Sequence, residues 1–517
     1  QTPAPTSSST PAATTKQTPA PTSSSTPAAT TKQTPAPTAS QTPAPTQTTK
    51  PPACPPRVRK AWEKLTAAEQ KTFNAAIEAA MDNGLYQRFM RIHQSMKSNR
   101  EAHNTCVFLF WHRKFLVGFE NMLRSLKPEF ACLTLPYVDY AQAYADQTAR
   151  KCDSIESCTP AATGLGGSRS TSRSRIPVSG STSYPNLPCV AKSPVNHYCE
   201  DPSNRRMICA KCLPRGRWAK TKYSTDFSIE SIRDSVFGGN DLASVSSAIE
   251  MVPHNVFHGY LDGPMANPLV SPTDPIFYLH HAAIDMLHTI YHHCKVEPLN
   301  LSNAKQMSDS RSFASCTTEN GDLVRASSSV AMTITEMGQF ISVDDPNELT
   351  APFFEDVPKS YYQLTDVRNF GANAYVYELN GLMGEMYSTC GSTKSKSWLE
   401  SAEVTNTTFD HIVNPVVAPV NLNMLSFRKA VIAQGAAQGL SEAEADKELK
   451  KIQIMYHQFC LDDPITDFTP EFKAMWHTTS PPAFVLLQSI LDGSNPIRLQ
   501  NWQAINEKYF GCRGDKH

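Results

Sequence analysis

Six histidines fall into two groups of three whose spacing suits metal ligation. His254 and His258 stand in P-H-N-V-F-H, and His281 closes D-P-I-F-Y-L-H-H. Upstream, His93, His103 and His112 form the other group, the last inside F-L-F-W-H-R-K-F. On a helix, positions i and i+4 share a face, so His254 and His258 can hold one ion together, with His281 arriving from another helix. His103 and His112 are too far out of phase for one straight helix, which places His103 on the segment leading in. All-imidazole tripods suit zinc, copper, iron or nickel, and ligand chemistry alone does not choose among them. Asp285, one turn beyond His281, is a candidate to orient its imidazole, as carboxylates commonly do.

The elements that must carry these residues are mostly helical. Thr66 and Glu69 form a capping box ahead of a helix running toward Met81. Further helices are expected over Tyr86 to Met96, carrying His93, and over Phe108 to Leu126, stopped by Pro128. Helical signals return at Phe227 to Asp234, at Val245 to Tyr260 and from Asp274 to Cys294. In the last of these Asp274 is placed to cap and Pro275 suits the first turn. Residues 330–390 contain β-prone runs, and an amphipathic helix is expected near Ser441 to Phe459.

Residues 1–16, QTPAPTSSSTPAATTK, recur letter for letter at 17–32, with shortened copies from Gln33 and Gln41. So little apolar surface cannot offset chain entropy, so 1–53 is expected to be a disordered tail, with Thr and Ser beside Pro suiting O-glycans. The 48 basic and 48 acidic residues cancel, leaving no electrostatic footprint for nucleic acid or an anionic membrane. No apolar run is long enough to span a bilayer. Fourteen dispersed cysteines suit structural bridges in an oxidising compartment, and the chain is read as mature and secreted, its signal peptide removed. Six of them lie in a Ser/Gly/Pro-rich excursion over 146–225. Its C-A-K-C has no partner pair for zinc and is read as bridged. Asn300 and Asn406 head glycosylation sequons.

F-L-F-W-H-R-K-F…F-E and P-H-N-x-x-H…D-P-I-F-Y-L-H-H-x-x-x-D resemble the two copper signatures of the type 3 copper proteins, comprising tyrosinases, catechol oxidases and molluscan haemocyanin units. The likeness covers roughly 54–390, from R-V-R-K-A-W to Tyr375-Val376-Tyr377. It implies a mostly α fold whose four-helix bundle holds two copper ions with dioxygen as co-substrate, with disulfide-pinned loops and minor β structure. His93, His103 and His112 would ligate one copper and His254, His258 and His281 the other. His280 would be structural; His288, His292 and His293 continue the same helix and are read as packing residues, though His288 lies on the ligand face. Glu250 and Asn255 stand where family tyrosinases orient a water that helps deprotonate a phenol. The family's cysteine two residues before the second ligand, which forms a thioether, is Glu101 here, and that crosslink should be absent.

The resemblance thus implies a secreted oxidase that hydroxylates monophenols and oxidises o-diphenols to o-quinones. Its partners would be small phenols or protein tyrosines, with no nucleic acid and no membrane. A catechol oxidase acting on diphenols only, or a haemocyanin-like oxygen carrier, are the alternatives. Residues 391–517 would form a C-terminal extension like those that shield the site in latent family members, with Phe427, Tyr456 and Phe459 as candidate plugs.

Overall fold

The computed structural model describes residues 54–204, 206, 208–391, 410–415, 418–461 and 464–515; the repeat tail and the Asn406 sequon lie outside them. The first helix, α1 (Ala67–Asn83), starts at the expected capping box: Thr66 accepts from the Glu69 amide and Glu69 accepts from the Thr66 amide. Gly84, at φ +86°, ends it in a left-handed conformation that a side chain would resist, and α2 (Leu85–Gln94) turns away at once. A short α3 (Met96–Ala102) and a loop then lead to α4 (Phe108–Ser125).

Nearly all of α4 is buried: apolar residues dominate it from Phe108 to Phe119, and the buried charges of Arg113 and Lys114 are paired with Asp285 and Asp344. Beyond α5 (Tyr140–Thr148) comes the cysteine-rich excursion, pinned by Cys152–Cys158, Cys189–Cys212 and Cys199–Cys209. The two cysteines of C-A-K-C bond to different partners, so that motif is structural. The chain re-enters the core through α6 (Ile229–Phe237) and α7 (Leu242–Ile249). A π-turn over Glu250–His254 joins α7 to α8 (Asn255–Leu261). Every residue of α9 (Ile276–Tyr291) is buried. The bundle of α2, α4, α8 and α9 is the expected four-helix frame.

Two sequence expectations are revised at α9. Asp274 accepts from the Ile276 amide at 3.2 Å, but its carboxylate chiefly takes a two-pronged ion pair from Arg215 at 2.7 and 2.8 Å. Asp285 does not orient His281. It accepts from Arg113 Nε at 2.5 Å, Arg59 Nη1 at 3.2 Å, and the Tyr375 and Tyr377 hydroxyls at 2.6 Å each. Burial pushes this carboxyl up, yet Arg113, Arg59 and the two phenols outweigh it and hold it below the usual range. The reason is topological. The strand Arg57–Arg59 pairs in parallel with Tyr375–Asn380, registering Arg57 with Tyr375 and Arg59 with Tyr377, and so delivers Arg59 and both tyrosines beside α9. Glu120 closes the network, accepting from Arg57, Arg59 and the Leu135 amide.

Residues after 418 add α10 (Pro419–Ala437), α11 (Glu442–Cys460), α12 (Pro470–Trp476) and α13 (Pro482–Leu491). Phe427, Val431, Leu449 and Ile452 form a small core of their own, whereas Phe468, Phe472 and Trp476 join the main one. Polar links fasten α11 to α6: Arg233 to Asp446 at 3.0 Å, Gln453 to Glu230 at 3.0 Å, and Lys450 to Asp234.

Candidate metal centre

Both histidine groups converge on one buried pocket. His93 lies near the end of α2, His103 is the residue that terminates α3, and His112 sits one turn into α4. Their rings pack at 4.9 Å (His93 to His103) and 5.2 Å (His103 to His112), and Nε2 of His93 is 3.4 Å from Nε2 of His112. His254 ends the π-turn, His258 follows on α8, and His281 faces them from α9, with ring separations of 4.5, 5.0 and 5.6 Å. The widened turn at Pro253, which has no amide proton to give the helix ladder, sets the angle at which His254 enters. The groups meet where His112 stacks on His281 at 4.1 Å. The structure therefore brings all six expected residues together.

Their protonation suits metal binding. Burial holds the imidazoles neutral, pushing His103 down to about 4 and holding His93, His112, His254, His258 and His281 well below the usual histidine range. His112 Nδ1 is 3.0 Å from the Phe108 carbonyl and His258 Nδ1 is 2.6 Å from the Met265 carbonyl. A carbonyl only accepts, so each Nδ1 carries the proton and each Nε2 a lone pair. His254 is fixed alike by the Asn255 amide oxygen, at 2.9 Å from Nδ1. Nε2 of His254 and His258 and both ring nitrogens of His281 are buried with no hydrogen-bond partner among the described residues. Such buried nitrogens without partners are costly unless ions take their lone pairs. The residues fit two metal ions.

Glu250 is 2 % exposed, so it is no solvent-facing helix residue. Its Oε1 accepts from the Asn104 amide at 2.7 Å, and burial pushes the carboxyl up to about 8 against that bond. The contact ties the helix before His254 to the loop after His103. Asn255 is occupied by His254 and, at 3.6 Å, by Met251 Sδ, and it makes no hydrogen bond to Glu250. Glu101 accepts from the Ala331 amide, and Cys106 is bonded to Cys316, so no thiol stands beside His103. His288 packs against Phe110 and belongs to neither group. His293 lies near Cys294 and Cys390, whose sulfurs are joined in a disulfide.

The residue that sequence reasoning missed is Trp476. Its ring lies 4.5 Å from His258, 5.5 Å from His254 and 5.6 Å from His103, and its indole N–H donates to the Ala266 carbonyl at 2.7 Å. Phe468, Phe472 and Trp476 recur every fourth residue, an aromatic stripe that marks a buried face. The three expected plugs lie elsewhere. Phe427 is in the separate core against Phe510, the Tyr456 hydroxyl donates to the Thr148 carbonyl, and Phe459 is half-buried without a ring contact to the site.

The common central domain of tyrosinase matches residues 83–293, which carry all six histidines. The tyrosinase of Streptomyces antibioticus is 30% identical over 248 residues, covering 44% of this chain and 81% of its own. That of Streptomyces glaucescens is 29% identical over 247 residues, covering 44% and 80%. Among solved structures, an octopus haemocyanin functional unit has a TM-score of 0.38 at 16% identity, covering 62% of this chain and 68% of its own. A polyphenol oxidase mutant of Thermothelomyces thermophila has 0.35 at 18%, covering 56% and 86%. The chain belongs to the tyrosinase family of type 3 copper proteins. It is a binuclear copper protein that uses dioxygen, and its two histidine clusters fit the copper pair.

Proposed function

We propose that this protein is a secreted tyrosinase that hydroxylates monophenols to o-diphenols and oxidises these to o-quinones, for melanin formation or quinone cross-linking. The observation that carries the reading is the buried convergence of six neutral imidazoles with a buried carboxyl, Glu250, beside it. Bound copper would supply dioxygen activation and Lewis acidity toward a phenolate oxygen. His93, His103 and His112 hold one ion, and His254, His258 and His281 the other. Aromatic walls from Phe108 and Phe277 exclude water from both.

Glu250 is the base for monophenols. A phenol is a weak acid, so a carboxylate whose proton affinity has been raised by burial accepts its proton with a smaller uphill step than an ordinary one. Its ionised fraction grows as pH rises toward about 8. Asn255 holds the His254 tautomer. Because Asn255 and Glu250 are not joined to each other, an enzyme acting on diphenols only is the second reading.

Residues 464–480 act as a cap. Trp476 lies over His258 where a phenol ring must approach, so small phenols or protein tyrosines enter only once it withdraws. Seven disulfides and the exposed Asn300 sequon support the secreted reading. Oxygen uptake with tyramine and with catechol, before and after limited proteolysis, tests the proposal. Uptake on both that rises after cleavage supports it, uptake on catechol alone selects the catechol oxidase, and uptake on neither selects an oxygen carrier.

A further inference from the structure

Away from the copper pocket, the cysteine-rich excursion carries a charge that the balanced whole conceals. Residues 168–222 hold eleven lysines and arginines against two acidic residues, Glu200 and Asp201. Four of these cations, Arg169, Arg173, Arg217 and Lys220, line one cavity of about 570 Å³, together with serine and threonine hydroxyls and no acidic residue. Arg169 lies 3.6 Å from Glu156, which stands behind Ser168 and already accepts from the Ser168 amide and hydroxyl. Arg173, Arg217 and Lys220 form no ion pair among the described residues.

Scattered surface cations would be an ordinary solvated face, but these are gathered by a rigid frame. The Cys189–Cys212 disulfide crosses it. The Cys189 amide donates to the Ser172 carbonyl at 2.9 Å, and the Arg215 amide donates to the Pro188 carbonyl at 3.0 Å. Buried Arg215, two residues before Arg217, is anchored on Asp274 and on the Leu165 and Gly167 carbonyls. The Trp218 indole, next along, donates to the Leu261 carbonyl at 2.7 Å. The backbone is thus fixed on both sides while the four charged side chains stay exposed.

Like charges held around one cavity repel, and an anion seated among them relieves that repulsion and takes several charge-assisted hydrogen bonds at once. Guanidinium forks match the oxygens of phosphate, and the tetrahedral oxygens of sulfate present the same geometry. A bounded cavity of this volume is of small-ligand size, whereas a long polyanion is held along an extended cationic track.

We propose that this cavity binds a small multivalent oxyanion, a molecule bearing two or more phosphate or sulfate ester groups, gripped by Arg169, Arg173, Arg217 and Lys220. The site is separate from the copper pocket and does not depend on the activity proposed above.

The test is calorimetric titration of the full copper-loaded chain with myo-inositol hexasulfate, whose sulfate groups compete only weakly for copper. One equivalent should bind saturably, and added salt should weaken it. Arg173→Gln and Arg217→Gln should each weaken binding by about 10-fold, as loss of one hydrogen bond to a charged group does. Lys71→Gln, which removes an exposed cation on α1 outside the cavity, should leave it unchanged. Methyl sulfate and glycerol 2-phosphate, with one anionic group each, should displace the hexasulfate only at far higher concentration, and the better competitor identifies the preferred ester. Copper content and a native circular dichroism spectrum verify each variant, and should Arg217→Gln lose either, Lys220→Gln supplies the same readout. No saturable binding by the wild-type chain, or wild-type affinity in the folded variants, overturns the proposal. Binding of dextran sulfate without binding of the hexasulfate also overturns it, since that would make the face a polymer-binding surface.

Discussion

The two half-sites solve one chemical problem with different backbones. In the second, His254 and His258 ride on one helical run and His281 on the fully buried α9, and carbonyl or amide oxygens set two of those three rings. In the first, His93 and His112 sit on the separate helices α2 and α4, and His103 lies off any helix. His103 sits where α3 has already ended, followed by Asn104 in a left-handed conformation at φ +54°. That loop is held from outside, by the Cys106–Cys316 disulfide and by Glu250 from the opposite half-site. A regular helix positions ligands through its own ladder, whereas a loop must borrow rigidity from its neighbours. The first half-site is thus the more vulnerable to changes outside its ligands.

The largest effect expected is from the ligands themselves. His258→Ala and His112→Ala should each reduce phenol turnover below detection while leaving a folded chain, because each unbalances one ion of a pair. Elemental analysis should show His112→Ala retaining close to one copper, and near wild-type activity in either variant would remove that residue from the set. Some loss of thermal stability should accompany both, since metal binding is coupled to folding.

Next in size is the link between the halves. Glu250→Gln should lower tyramine hydroxylation by roughly 10²–10⁴-fold, as loss of a general base does, with catechol oxidation changed far less. Wild-type hydroxylation should rise with pH up to about 8 as the carboxyl ionises, and the variant should lack that limb. Glu250→Ala also removes the acceptor for Asn104, so it alone should lose copper from the first half-site. Equal losses on monophenol and diphenol would show that Glu250 only props the copper shell.

Asp285→Asn probes the frame behind the second half-site. Two buried arginines would lose their counter-charge, and breaking such a network costs about 3–5 kcal/mol. Denaturant unfolding should register that loss, and a shift within error would mean the surrounding groups re-pair. The smallest expected effect is at the cap. Trp476→Ala should raise kcat/KM toward small phenols by about 10-fold for each 1.4 kcal/mol that the indole contributes to closure. Unchanged activity would show that the ring packs there without shielding.

Sequence legibility followed the same divide. The i, i+4 pair at His254 and His258, the capping box at Thr66 and the strongly apolar run of α4 are local signals, and each appears in the structure as expected. Asp285 was misassigned because its partners come from residues 57–59 and 375–377, joined to it only through strand pairing. Trp476 was missed for a related reason. An aromatic stripe shows that a face is buried but not what buries it, and Trp476 lies more than 200 residues from the histidines it covers.

Both half-sites are expected to serve one coupled pair of ions, and copper counting combined with spin intensity tests this most directly. Protein purified without added metal and fully oxidised should contain close to two coppers per chain and give almost no paramagnetic resonance signal, because cupric ions sharing one pocket couple their spins. Two coppers with full signal intensity would mean independent sites, and stoichiometric zinc would contradict the account outright.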